Sequence, residues 1–162
     1  LFPLSKTVAN INIEQDGRYD GENGSGPKRL FVTGYGYSDI GKLATTAAKA
    51  AGVEVYAGPD DFFARSDNFF LAEAGVPAHT IGSSLEFPDY HKVTDSPDKL
   101  DYENMALLTK AITAVVVDLA ESEHEPTWTD ERATAPYRKA RAATAAPDRK
   151  ARAATAAPVA SK

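Results

Sequence analysis

The chain is predicted to fold as an α/β protein, a three-layer α/β/α arrangement around a mostly parallel or mixed central sheet, and to form an incomplete, C-terminal portion of such a fold. Three observations carry this expectation. Short β-rich segments alternate with helical ones from Thr7 to Leu119, the pattern of a sheet covered by helices. The chain enters directly on a strand, and about three helices are available to cover four strands on two faces. The composition, 43% hydrophobic and 25% charged over 162 residues, is enough for one domain with its own core.

The elements follow in order. Thr7 to Glu14 (TVANINIE) is β-rich and ends at Gln15-Asp16-Gly17. Tyr19 to Lys28 reads as a loop from its Gly, Asn and Pro content, and Arg29 to Tyr35 as a second strand. Ser38 or Asp39 is placed to cap an Ala-rich helix that runs to about Ala51 and is closed by Gly52. Val53 to Ala57 is the third strand, Phe69 to Ala74 a short helix, and Ala78 to Ile81 the fourth strand. Asp101 caps the last helix, in which Met105, Leu108, Ile112, Val115, Val116 and Leu119 fall on one face.

Charge and composition change together near the C-terminus. Residues 131–162 hold eight Lys and Arg against two acids, net +6, whereas residues 1–130 are net −11. Arg138 to Pro147 recurs as Arg149 to Pro158, an eleven-residue period with almost nothing large to bury and prolines that interrupt helix. The expected division is therefore a domain portion over 1–123 and a low-complexity, basic, disordered tail over 124–162. After Tyr137 that tail has no aromatic residue to stack on bases, so no specific nucleic-acid partner is expected; a basic-tailed nucleic-acid binder would instead show salt-sensitive DNA binding that depends on residues 133–162.

With no cysteine, disulfides, thiolate metal sites and thiol nucleophiles are excluded, so any metal must be held by carboxylate and imidazole. No apolar run reaches the roughly 20 residues that span a bilayer, and the first residues have no signal-peptide pattern.

Gly36-Tyr-Ser-Asp-Ile-Gly41-Lys42 imitates a phosphate-binding loop but fails at Leu43, where a hydroxyl must reach Mg²⁺, and reads as a plain strand-to-helix turn. His79, in an apolar strand, reads as a core or edge imidazole, and His124, among Glu121, Glu123 and Glu125, as part of a solvated face. His91 lies in a loop dense in carboxylates and turn residues, the kind of segment that carries ligands. Glu14 ends a strand at the carboxyl edge, where open α/β sheets bind ligands, and Asp67 sits where a helix N-cap is the ordinary role. Phe62, Phe63, Phe69 and Phe70 divide between pocket and core, with core the better reading.

Three ordered blocks bring these residues together: Asn12-Ile-Glu14-Gln-Asp-Gly-Arg18; Arg65-Ser-Asp67-Asn-Phe-Phe70 with Ala74-Gly-Val-Pro-Ala-His-Thr-Ile81; and Tyr90-His91-Lys-Val-Thr-Asp-Ser-Pro-Asp-Lys-Leu-Asp101. Over about residues 1 to 120 they resemble the zinc peptidase family of aminopeptidase Y and the secreted bacterial aminopeptidases. The resemblance implies a dinuclear zinc site with five protein ligands, of which Glu14 and His91 are present here, and peptide substrates cleaved at the N-terminus by metal-activated water. It places Tyr90 as a partner of the oxyanion, and Arg65 and Asp67 against substrate or around the ligands. It also implies a secreted or periplasmic location. The first His, the bridging Asp and the Glu-Glu pair that supplies the general base normally precede the Glu14 block, where this chain has thirteen residues. The chain alone is therefore expected to be inactive, and the alternative is a non-catalytic, peptidase-like binding module.

Overall fold

The four strands form in a computed structural model, which describes residues 3–19 and 24–144. Of the expected loop, residues 20–23, and of the expected tail, residues 145–162, lie outside the described residues. β1 (Asn10–Ile13), β2 (Arg29–Val32), β3 (Glu54–Ala57) and β4 (Ala78–Gly82) make one sheet in the order β1-β4-β2-β3. β1 runs parallel to β4 and β2 parallel to β3, while β2 meets β4 antiparallel, so the sheet is mixed.

α1 (Ile40–Ala50) and α3 (Tyr102–Glu121) pack on one face of the sheet. Alternation along β2 sends Leu30 and Val32 to that face, where they meet Ile40, Ala44, Leu108 and Ile112. Small alanines on α1 let the two helices approach each other over an aliphatic core. α2 (Asn68–Glu73), preceded by a 3₁₀ turn at Asp60–Arg65, belongs to a second core on which Phe63, Ala72, Ala78 and Trp128 are buried.

The two expected helix caps are made in different ways. Asp101 does cap α3, its carboxylate accepting from the Asn104 amide at 2.9 Å. At α1 the hydroxyl of Ser38 accepts from the Ile40 amide, and the Asp39 carboxylate is taken instead by the Thr127 amide at 3.0 Å. Thr127 arrives there because the segment after α3 folds back onto the body. Thr129 N–H donates to Tyr37 O at 2.8 Å, Trp128 is buried with its indole N–H on Gly75 O, and residues 135–144 are helical. The described part of the expected disordered tail is thus packed, for a physical reason: Trp128 and Tyr137 supply large apolar surface that the repeat's alanines do not.

The apolar stripe of α3 also departs from the single face expected. Leu108, Ile112, Val115 and Leu119 are buried, but Met105 and Val116 are exposed, as is the neighbouring Val117. α3 overhangs the outer strand β1, and no described element covers the flank beyond it.

Candidate functional site

Alternation along β1 decides what reaches the carboxyl edge of the sheet. Ile11 and Ile13 face α3, leaving Asn12 and Glu14 on the α2 side. There the joint between the 3₁₀ turn and α2 supplies Ser66, whose hydroxyl donates to Glu14 Oε2 at 2.7 Å and accepts from the Asn12 amide at 2.8 Å. Asn12 also donates to Thr80 Oγ1 at 3.1 Å, and that hydroxyl donates to Asn68 Oδ1 at 2.9 Å. Asn68, fully buried at the start of α2, donates in turn to the Phe63 carbonyl at 3.1 Å. Glu14 is therefore held by a directed chain of hydrogen bonds that crosses β1, β4 and α2.

Gly82 lets β1 end this close to β4, because a Cβ there would collide with the Glu14 carbonyl and lie 2.8 Å from the Phe31 ring. Past Glu14 the backbone turns sharply, with Gln15 at φ 57°, in the left-handed region. The Ser83 hydroxyl lies on the Gln15 and Arg18 carbonyls at 2.8 and 2.6 Å. Asp16 lies half-buried beyond this turn, and desolvation, followed by the charge of Glu14, pushes its carboxyl up to about 7.

A cavity of about 30 Å³ opens at this edge, lined by Glu14, Phe31, Phe62, Arg65, Leu85 and Tyr90 among others. It has room for a water or two and not for a side chain. Arg65 reaches its wall stacked on the Phe62 ring at 4.0 Å and paired with Glu86 at 3.0 Å. Tyr90 lies edge-on to Phe87, with ring centroids 5.8 Å apart. Phe87 is itself covered by the Arg18 guanidinium at 4.3 Å. Arg18 also pairs with Asp89 at 3.1 Å and Asp95 at 3.0 Å, fastening the 89–95 loop to the end of β1. Hydrogen bonds from Lys99 and Thr94, together with Arg18, hold the Asp89 carboxyl well below the usual carboxylate range.

The structure therefore brings Glu14, Arg65 and Tyr90 to one cavity. His91 is exposed and stacks flat on Tyr90, ring centroids 3.9 Å apart and 18° between planes, and it is not among the residues lining the cavity. Its φ of 57° makes it one of three non-glycine residues in the left-handed region among the described residues, the others being Gln15 and Lys28. Such outliers gather at functional sites, and two of these three flank this one. Asp67 is exposed, lies away from the cavity lining, and its side chain makes no cap hydrogen bond to α2. The Arg65–Phe70 block instead turns Ser66 and Asn68 inward. Sequence reasoning passed over these two with Asn12 and Thr80; the signal was the polar run at alternate positions 10, 12 and 14 of an otherwise apolar strand.

The other histidines are placed as their settings suggest. His79 is buried, with Nδ1 2.7 Å from the Thr33 carbonyl and Nε2 2.7 Å from Ser38 Oγ. A carbonyl only accepts, so Nδ1 carries the proton and Nε2 accepts from Ser38. Burial pushes this imidazole down to about 4, keeping it neutral. His124 is exposed and contacts Asp39 at 2.8 Å. Of the four phenylalanines, Phe63 is core, Phe62 and Phe69 are half-buried, and Phe70 is exposed.

Carboxylate and imidazole are zinc-type donors, but a catalytic zinc takes about three protein ligands. Among the described residues no group of three or more His, Cys, Asp or Glu is arranged to hold a metal ion. The residues present thus do not fit a complete zinc site. No helix of the described residues is long and apolar enough to cross a membrane.

Two solved structures share this architecture. The aminopeptidase LapA of Legionella pneumophila superposes with a TM-score of 0.56 at 23% identity, covering 72% of this chain and 32% of its own. BSAP, a zinc aminopeptidase from Bacillus subtilis, superposes with a TM-score of 0.55 at 21% identity, covering 78% of this chain and 32% of its own. At these identities the likeness establishes the fold, and this chain spans about a third of the length of either structure. Among curated protein sequences there is no match. Residues 2–116 match peptidase family M28, and the chain belongs to that family.

Proposed function

We propose that this chain is part of a zinc-dependent exopeptidase, an aminopeptidase that removes N-terminal residues from peptides, with Glu14 and His91 as two of its metal ligands. The observation that carries the reading is the shared cavity of Glu14, Arg65 and Tyr90 at the carboxyl end of β1, in a chain of family M28. Ser66 and Asn12 fix the direction in which the Glu14 carboxylate presents its free lone pairs. Tyr90 offers a phenol for the oxyanion, Arg65 a cation for substrate, and Asp67 a more distant acidic group. A secreted or periplasmic location goes with this reading.

Two ligands do not hold a catalytic zinc, so the 162-residue chain by itself is expected to be inactive. The test measures zinc stoichiometry and turnover of an aminoacyl-nitroanilide for this chain and for one extended upstream by about 150 residues, one further domain's length. The expected result is metal and activity in the longer protein alone, with both lost in its Glu14→Ala and His91→Ala variants. Full metal occupancy and turnover by the 162-residue chain would refute the predicted inactivity.

A second reading, a non-catalytic peptidase-like binding module, is favoured by the lack of a three-donor cluster among the described residues. It predicts that neither protein binds zinc.

A further inference from the structure

The loop that carries Tyr90 and His91 has no buried residue from 86 to 99, so little hydrophobic burial is available to place it. Polar ties place it instead, and they converge on the short turn at residues 15–18, directly after Glu14. Where the loop begins, the Ser83 hydroxyl lies on the Gln15 and Arg18 carbonyls. Where it ends, the Asp101 amide donates to the Gly17 carbonyl at 2.9 Å. Between these points one nitrogen of Arg18, Nη1, reaches both Asp89 Oδ2 at 3.1 Å and Asp95 Oδ1 at 3.0 Å, while the guanidinium covers Phe87.

These ties differ in kind. The ends of the loop hang on main-chain carbonyls, which almost any residue at 15, 17 or 18 would supply, whereas the middle hangs on the Arg18 side chain. The side chains of Arg18 and Asp89 are 16% and 17% exposed, which shelters their pairing from the screening that weakens surface ion pairs. A flat guanidinium can stack on Phe87 and still direct N–H groups at carboxylates, which the ammonium of a lysine cannot do together. Asp89, directly before Tyr90, also takes Lys99 Nζ at 2.8 Å and the Thr94 hydroxyl at 2.6 Å. The clamp thus holds a row of flat groups: guanidinium on Phe87, Phe87 edge-on to Tyr90, and Tyr90 flat on His91. His91 at φ 57° is in a conformation that costs energy for a residue with a Cβ and lasts only where its neighbours enforce it. Asp89 and Asp95, on either side of it, are where the enforcement is applied.

We infer that Arg18 is a positioning residue of the candidate site, registering the Tyr90–His91 loop against the Glu14 edge through Asp89, Asp95 and Phe87. Arg18 is carried by the turn that leaves Glu14, so the carboxylate and the loop are held to one another through a single side chain. Its removal frees the middle of the loop and leaves both ends fastened. The inference rests on the peptidase reading for the use made of Tyr90 and His91; the clamp itself is a property of the fold.

The test follows the 162-residue chain by NMR, without metal or substrate, so the clamp and the peptidase reading can fail independently. In the wild-type chain the His91 ring protons are expected upfield, in the ring current of Tyr90. In Arg18→Met, which keeps the length of the side chain and loses its charge, that shift should vanish. The Tyr90, Lys92 and Asp95 amides, bonded to Phe87 O, Asp89 O and Lys92 O within the loop, should exchange about tenfold faster, the weight of one charge-assisted hydrogen bond. The Asp101 and Glu14 amides, bonded to Gly17 O and Ile81 O, should keep their protection. Arg18→Lys, which restores a cation, should recover part of the His91 shift. Asp95→Asn, at a carboxylate 37% exposed, should move the same signals the same way by less, and supplies the answer if Arg18→Met does not fold. The inference is overturned by unchanged His91 and loop signals in both Arg18→Met and Asp95→Asn. Equal loss of protection at Asp101 and Glu14 also overturns it, because Arg18 would then support the turn as a whole and not place the loop.

Discussion

On the α1/α3 face of the sheet the buried contacts are made by Leu, Ile, Val and Ala, whereas the α2 face mixes Phe63 and Trp128 with buried His79, Asn68 and Thr80. The aliphatic face needs volume of the right shape and tolerates exchanges that keep it. The aromatic and polar face needs particular partners, because each buried donor or acceptor there loses its hydration and is repaid only by one specific group. Glu14 stands on the second face. The difference teaches that precision in this protein is concentrated in the layer that orients the carboxylate, and bulk stability in the layer behind it.

The contrast can be broken most severely at the C-terminal segment. Ending the chain after Glu123 uncovers Phe63 and His79 together, and is expected to lower stability by more than the roughly 3–5 kcal/mol of Trp128→Ala alone, read from thermal or urea unfolding. Next is the pH dependence set by His79. Its ordinary value is 6.5 and its folded value about 4, so between these the unfolded chain binds the extra proton. Stability should fall by about 3 kcal/mol as pH drops through that window and level off below it. In His79→Asn that slope should vanish from urea midpoints measured across the same range.

Smaller effects sharpen the comparison. Ser66→Ala strips Glu14 and Asn12 of one partner each, an expected loss of about 1–3 kcal/mol by equilibrium unfolding. Leu108→Met, on the aliphatic face, should lose less than about 1.5 kcal/mol in the same assay. If Leu108→Met proves the more damaging of the two, the division between the faces is wrong.

The aliphatic face is also the one the sequence makes legible. Helical periodicity picked out Leu108, Ile112, Val115 and Leu119, and β-rich runs located all four strands, because burial of apolar residues at fixed periods is written locally. The antiparallel meeting of β2 and β4, the route of Trp128 to His79 and the bare edge of β1 depend on neighbours distant in the chain, and no local period encodes them. In the candidate site the blocks mark loops that the structure brings to one edge of the sheet, but they do not say which of their residues turn inward. Arg65 and Asp67 carry charge and draw attention, yet Ser66 and Asn68 point inward, and which residue of a turn faces the core is settled by backbone geometry. His91 was chosen by its block, and its left-handed backbone and its stacking on Tyr90 could not be foreseen from composition.

Gly75 adds a constraint of another kind. It sits at φ 93° after α2, and a Cβ there would collide with the backbone of Arg141 in the helical 135–144 segment. The Ala-Gly-Val-Pro turn and a stretch of chain some sixty-five residues later are thus fitted to one another atom by atom. Sequence drift at either place is answerable to the other: a lineage that sheds the C-terminal helix relieves position 75 of that collision, and one that keeps the helix holds the position to glycine, however remote both are from the chemistry.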